Sequence, residues 1–183
     1  MKKLVLFSLT CIIAITTASA QKVYTKNGNI SFFSKTIMEN ISADNSQVMS
    51  VLDKNTGDLQ FSVLIRSFHF KKALMEEHFN ENYMESDKFP KALFKGQVDD
   101  LKNIDFTKDG VYKIKVKGQM TLHGVTDDVK TEGNITVKSG MVTGSAMFKI
   151  KLEDYKISVP SVVKNNISEV IDITVNCVYD QKL

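Results

Sequence analysis

Cysteine is scarce in this 183-residue sequence, which contains two. Cys11 lies in an N-terminal apolar run, and Cys177 lies near the other end of the chain. Removal of that run would leave one thiol, which cannot form an internal disulfide. The fold must therefore depend on a hydrophobic core, and a chain of this length can bury one.

Long apolar runs are also scarce, and the clearest one covers residues 4–15. Two lysines precede it and the small residues Ala-Ser-Ala follow it, which is typical of a secretory signal peptide. We predict a signal peptide at residues 1–20 and a single domain at residues 21–183. The run is shorter than the ~20 apolar residues of a membrane helix, so we predict no transmembrane segment. Export would place the protein in the periplasm of a Gram-negative host, and otherwise outside the cell.

A strong excess of charge of one sign is absent, since the formal net charge is +3. The sequence contains no block of basic residues and no alternation of basic and aromatic residues. Both features are common in proteins that bind nucleic acids. Nucleic acid is therefore not a predicted partner.

Familiar catalytic and metal-binding motifs are missing as well. The three histidines, His69, His78 and His123, lack the paired spacing of zinc ligands. No serine lies in a Gly-x-Ser-x-Gly motif. Cys177 shares its predicted strand face with apolar residues, which favours a structural thiol over a nucleophile. We predict neither an enzyme nor a bound metal or cofactor.

The sequence does contain regular alternation, most clearly at residues 111–126. Apolar side chains such as Ile114 and Val116 occupy even positions, and lysines such as Lys113 and Lys115 occupy odd positions. Period two is typical of a β-strand with one dry face and one wet face. Other segments repeat the pattern, and small residues such as Gly118 on the dry face either permit bending or leave space inside.

Turn-forming residues separate these segments. Asn27-Gly28, Asn55-Thr56-Gly57, Asp109-Gly110 and Ser139-Gly140 each lie between β-branched or aromatic residues. Such sequences are typical of hairpin connections, so we predict four of them in an antiparallel meander. A helix is predicted at residues 71–79, where apolar residues stand four apart.

Seven or eight such strands cannot all rest on one short helix, so the sheet must close or fold upon itself. We therefore predict a mainly β barrel or sandwich with a dry interior. Periodicity alone leaves two interpretations of that interior open. The apolar side chains either fill a core or form the wall of a ligand cavity.

Three segments resemble the YceI-like family. They are HFNENYMESDKFPKALFKG at residues 78–96, GQMTLHGVTDDV at residues 118–129 and FKIKLEDYKISVP at residues 148–160. The resemblance implies an extended, lipocalin-like antiparallel β-barrel of about eight strands with one or two short helices. It also implies a lengthwise hydrophobic pocket for a polyisoprenoid or other long-chain lipid, and often a homodimer. Family members commonly carry an Arg-Asp pair where this chain has Phe70-Lys71, so head-group contacts cannot be transferred.

Under this hypothesis the protein is exported and holds a long-chain amphiphile, such as a polyprenyl or fatty-acyl compound, for carriage or sequestration. The alternative is a structural or interaction barrel with a filled core. The residues predicted to line the lumen share the dry faces of the strands. They are Phe32, Phe61, Val63, Ile65, Phe94, Ile114, Val116, Met120, Ile135, Phe148, Ile150, Ile171 and Ile173.

Overall fold

The computed structural model describes residues 22–182, and the predicted signal peptide lies outside the described residues. The strands and the helix follow one another in the order β1 (Lys22–Lys35), β2 (Asn40–Asp53), β3 (Asp58–Leu64), β4 (His69–Phe70), α1 (Ala73–His78), β5 (Lys91–Asp99), β6 (Gly110–Leu122), β7 (Val125–Lys138), β8 (Met141–Lys151), β9 (Val170–Tyr179) and β10 (Gln181–Lys182). The described part of the chain contains no helix long and apolar enough to cross a membrane.

Eight long strands form a closed antiparallel barrel. Their order around the barrel is β1-β9-β8-β7-β6-β5-β3-β2, and pairing of β2 with β1 completes the circle. The short strands β4 and β10 pair with β2 and β1, respectively. Closure leaves few free strand edges, which is the physical reason why so many amphipathic strands form a barrel. The predicted mainly β barrel of about eight strands is confirmed.

The two ends of the barrel differ in the length of their connections. The lower end carries the connections at residues 54–57, 100–109 and 139–140. The upper end carries the β1–β2 turn at residues 36–39, and the long segments at residues 65–90 and 152–169. Helix α1 and most of the irregular structure therefore lie at the upper end of the barrel.

Three of the predicted hairpin connections join consecutive antiparallel strands, and the one predicted at Asn27-Gly28 is wrong. Gly57 (φ +79°) and Gly140 (φ +78°) form tight turns between strands, since glycine tolerates positive φ. Asn27-Gly28 instead lies inside β1, at a shift in its register with β2. A Cβ added at Gly28 would lie 2.5 Å from the Sγ atom of Cys177, so this glycine serves close packing. Asp109-Gly110 ends a longer connection that includes a 3-10 turn at Leu101–Asn103.

The predicted helix is present. It extends from Ala73 to His78 and continues as a π-helical turn at Phe79–Tyr83. Lys72 precedes the helix without a side-chain cap. Six residues without a cap form a weak helix in isolation, so packing at the upper end must stabilise it.

Alternation in β6 is confirmed by burial. Val116 is buried and Ile114 is half-buried, whereas Lys113 and Lys115 are exposed. The inner face contributes to the larger of two apolar clusters, which extends to Tyr179 near the lower end. The smaller cluster lies at the upper end, where residues of the two long connections pack against the barrel.

Three buried acidic groups make the stability sensitive to alkali. Burial raises the pKa of the Cys177 thiol to about 12 and is also the main cause that raises the pKa of Tyr155 to about 12. Burial raises the pKa of Tyr179 as well. In the unfolded chain these groups lose their protons at about pH 9 to 10. The folded state therefore holds more protons in this range, and its stability must fall as the pH rises.

We expect the urea midpoint to fall progressively between about pH 9 and pH 12. Urea titrations followed by far-UV circular dichroism at several pH values measure it. The variant Tyr155→Phe is the control, because it removes one of the groups and should make the decline less steep. Equal declines in the variant and the wild type would contradict the role given to Tyr155.

Candidate functional site

The barrel encloses a cavity of about 420 Å³ whose wall is almost entirely apolar. This size falls in the range of small-molecule sites in proteins. Strands on all sides of the barrel contribute to its wall, together with α1 and residues of the upper connections. A packed core would leave few voids larger than a water molecule. The lumen is therefore hollow rather than filled by side chains.

All of the predicted lumen residues line this one cavity. They are Phe32, Phe61, Val63, Ile65, Phe94, Ile114, Val116, Met120, Ile135, Phe148, Ile150, Ile171 and Ile173. Their position follows from the period-two alternation of the strands that carry them. That they contact a ligand remains a prediction.

The lower end of the cavity is closed by well-packed residues. Leu52, Val98 and Tyr179 line it and are each at most 6 % exposed. The hydroxyl groups of Tyr179 and Ser50 lie 3.0 Å apart in a buried hydrogen bond. Water does not reach the cavity easily from this side, so its accessible end must lie elsewhere.

An aromatic cluster narrows the upper end. The Phe79 ring lies 5.4 Å from the Phe32 ring, 5.7 Å from the Phe68 ring and 5.1 Å from the Phe70 ring, measured between centroids. Sequence reasoning identified Phe32 and missed the other three. Phe68 and Phe70 stand two apart beside a helix that places Phe79 against them, and this spacing was the available signal.

A polar rim lies next to the aromatic cluster. Glu39, in the β1–β2 turn, lines the cavity and joins two other segments. Its Oε1 atom lies 3.1 Å from the Nζ atom of Lys72, which donates to it, and its Oε2 atom accepts from the Nδ2 atom of Asn166 at 3.4 Å. Ser34 is buried nearby, where its Oγ atom accepts from the backbone N–H of Ser168 at 2.9 Å. Sequence reasoning missed this rim because its members are far apart in the chain.

The barrel wall separates between β7 and β8 in its upper half. Residues 133–138 of β7 pair with residues 141–146 of β8, and the described pairing between these two strands ends there. Above this point, β7 stays paired with β6, and β8 stays paired with β9. Side chains on both sides of the separation, including Thr131 and Phe148, line the cavity.

His69, His78 and His123 lie in three different elements, which are β4, α1 and the β6–β7 turn. His78 lines the cavity at the end of α1, whereas His123 lies in the β6–β7 turn. The Nε2 atom of His123 lies 2.9 Å from a carboxylate oxygen of Glu85, and its Nδ1 atom lies 3.1 Å from the carbonyl oxygen of Tyr155. These bonds connect the two long segments at the upper end. Within residues 22–182, no group of three or more histidine, cysteine, aspartate or glutamate side chains is arranged to hold a metal ion.

Solved structures of similar fold come from several bacteria. A polyisoprenoid binding domain from Saccharophagus degradans, implicated in plant cell wall breakdown, aligns with a TM-score of 0.75 and 14% identity over 86% of this chain and 97% of that chain. BcnA from Burkholderia cenocepacia aligns with a TM-score of 0.67 and 15% identity over 82% of this chain and 95% of that chain. The YceI protein of Campylobacter jejuni aligns with a TM-score of 0.56 and 17% identity over the full length of both chains. These similarities establish the fold.

Sequence comparison gives the family. A search of curated proteins found no match. The family model of the YceI-like domain matches residues 14–179, which includes almost the whole barrel. The hollow apolar barrel, the related structures and this match agree with the resemblance seen in the sequence. The chain belongs to the YceI-like domain family.

Proposed function

We propose that the protein binds a polyisoprenoid or another long-chain amphiphile inside its barrel, for carriage or sequestration. The observation that supports this most strongly is the hollow apolar cavity of about 420 Å³. An apolar chain inside it would lose contact with water along its whole length. The name of the Saccharophagus degradans relative, a polyisoprenoid binding domain, points to the same class of ligand.

The energetics favour long chains. Burial of each methylene contributes about 0.8 kcal/mol, so ten of them contribute roughly 8 kcal/mol. Association itself costs at least about 4 kcal/mol. Chains much shorter than ten carbons should therefore bind weakly, and no charged contact is needed for a longer chain to bind well.

The alternative function, a structural or interaction barrel with a filled core, has less support because the lumen contains the cavity. Export from the cytoplasm and homodimer formation are parts of our proposal that rest on the N-terminal sequence and on the family resemblance. Export would place such a lipid carrier in an aqueous compartment outside the cytoplasm.

Native mass spectrometry of the purified protein tests the proposal. We expect a bound mass that is removed by organic extraction and regained when the stripped protein is incubated with geranylgeraniol or a long-chain fatty alcohol. The affinity should increase with the length of the chain, because each added methylene is buried. Absence of an extractable mass together with failure to take up either compound would overturn the proposal.

A further inference from the structure

Charge is distributed unevenly around the cavity. Among residues 22–182, the side chains that line it include one carboxylate, that of Glu39, and no lysine or arginine. A long-chain amphiphile has a polar head that must lie near an accessible end. The lower end is sealed by buried apolar residues and Tyr179, and the upper end carries the polar rim beside Glu39, which is the candidate position of the head group.

The geometry of the rim places the negative charge inward and the positive charge outward. The Glu39 side chain is 27% exposed and forms part of the cavity wall, whereas the Lys72 side chain is 67% exposed and lies outside it. Water screens the ammonium group more effectively than the half-buried carboxylate. The carboxylate of Glu39, and not the ammonium group of Lys72, therefore forms part of the wall that a head group inside the rim would contact.

The remaining polar groups at the rim suit an uncharged head. The amide of Asn166 donates to Glu39, which leaves its carbonyl oxygen as an acceptor. The hydroxyl of Ser34 accepts from a backbone N–H and still carries a proton that it can donate. Hydroxyl, carbonyl, ester and amide head groups can form hydrogen bonds with Asn166 or Ser34. These head groups are uncharged and need no positively charged partner.

We propose that the cavity selects amphiphiles with an uncharged head group, and that the carboxylate of Glu39 is the residue that discriminates against anionic ones such as fatty-acid carboxylates and phosphates. This inference rests on the proposed function. An anionic head at the rim would lie beside a like charge in a partly desolvated site, where electrostatic repulsion is stronger than in water. A neutral head avoids this repulsion and keeps the hydrogen bonds.

Displacement of the neutral fluorescent dye N-phenyl-1-naphthylamine measures the selectivity. Dodecanol and dodecanoate are compared at pH 8, below their aggregation concentrations. In the wild type we expect dodecanol to displace the dye at a concentration at least tenfold lower than dodecanoate. The variant Glu39→Gln should improve the affinity for dodecanoate about tenfold and leave that for dodecanol unchanged, since the amide oxygen of glutamine can still accept from Lys72 or Asn166.

Glu77→Gln is the matched control. It removes the same charge from an exposed position on α1 that is outside the cavity wall, so both affinities should stay unchanged. Lys72→Met is a second variant and needs no change in the wall. This variant removes the positive charge that partly compensates the carboxylate of Glu39, so dodecanoate should bind more weakly than it does to the wild type.

The outcomes separate the two proposals. If dodecanol binds but Glu39→Gln leaves the affinity for dodecanoate unchanged, or Glu77→Gln changes it equally, the selectivity inference is overturned and the proposed function stands. If Glu39→Gln does not fold, an unchanged affinity for dodecanoate in Lys72→Met overturns the inference. If neither compound nor the dye binds to the wild type, the proposed function itself is overturned.

Discussion

Replacement of Gly118 by alanine is expected to destabilise the protein by about 3 kcal/mol. Gly118 and Gly96 lie directly opposite each other on β6 and β5, and both face inward. A Cβ at Gly118 would lie 2.8 Å from the Cζ atom of Phe94 and would also collide with the Gly96 Cα and the Lys95 carbonyl oxygen. Backbone atoms of a paired strand cannot move aside without breaking the pairing, so the two strands must separate locally.

Thermal and urea unfolding followed by far-UV circular dichroism measure the loss. For a protein of this size, 3 kcal/mol corresponds to a fall in Tm of about 6–12 °C. Gly110→Ala is the matched control on the same strand. Its Cβ would lie 3.4 Å from the Tyr112 ring, which is an ordinary contact, so its effect should stay within about 0.5 kcal/mol. Similar losses in both variants would show that close strand approach at Gly118 is not the cause.

Val116→Trp is expected to reduce lipid uptake at least tenfold while the barrel stays folded. Val116 faces the cavity from the middle of β6, opposite Val98. An indole ring at this position would extend into the space that we propose for the lipid chain. Because the lumen is hollow, the ring displaces ligand rather than protein atoms, and the cost in stability should stay at or below the 1–3 kcal/mol typical of overpacking.

Uptake of N-phenyl-1-naphthylamine and of geranylgeraniol, with circular dichroism as the test of folding, checks this expectation. The matched control is Lys115→Trp, the adjacent residue, whose side chain is exposed on the outer face of the barrel. It adds the same ring without entering the cavity and should leave uptake unchanged. A folded Val116→Trp variant with normal uptake would place the ligand outside the lumen.

Much of the barrel could be predicted because its strands are amphipathic. When the inner face of a strand is dry and the outer face is wet, burial follows the parity of the sequence, as in β6. The same parity placed the predicted lumen residues on the cavity wall. The presence of a cavity could not be predicted from parity, since a filling side chain and a lining side chain occupy the same face.

The errors and omissions have a common physical origin. Asn27-Gly28 is a sequence typical of a hairpin turn, but in the structure it lies at a shift of register inside β1. The glycine is needed there because the Cys177 side chain packs against it, and this contact is not visible in the local sequence. The role of Glu39 depends on Asn166, a residue 127 positions away. Such features arise from the tertiary fold and leave no local pattern.

The polar rim also has a consequence for the order of folding. Its hydrogen bonds join Glu39 to Asn166 and Ser34 to Ser168, across 127 and 134 positions of the chain. Contacts of such separation form slowly, because the entropy of closing the intervening loop is lost before they can stabilise the fold. We therefore expect the rim to be completed only after β9 has docked against β1, late in folding. Contacts between a head group and the rim are therefore expected to stabilise the barrel only after this step.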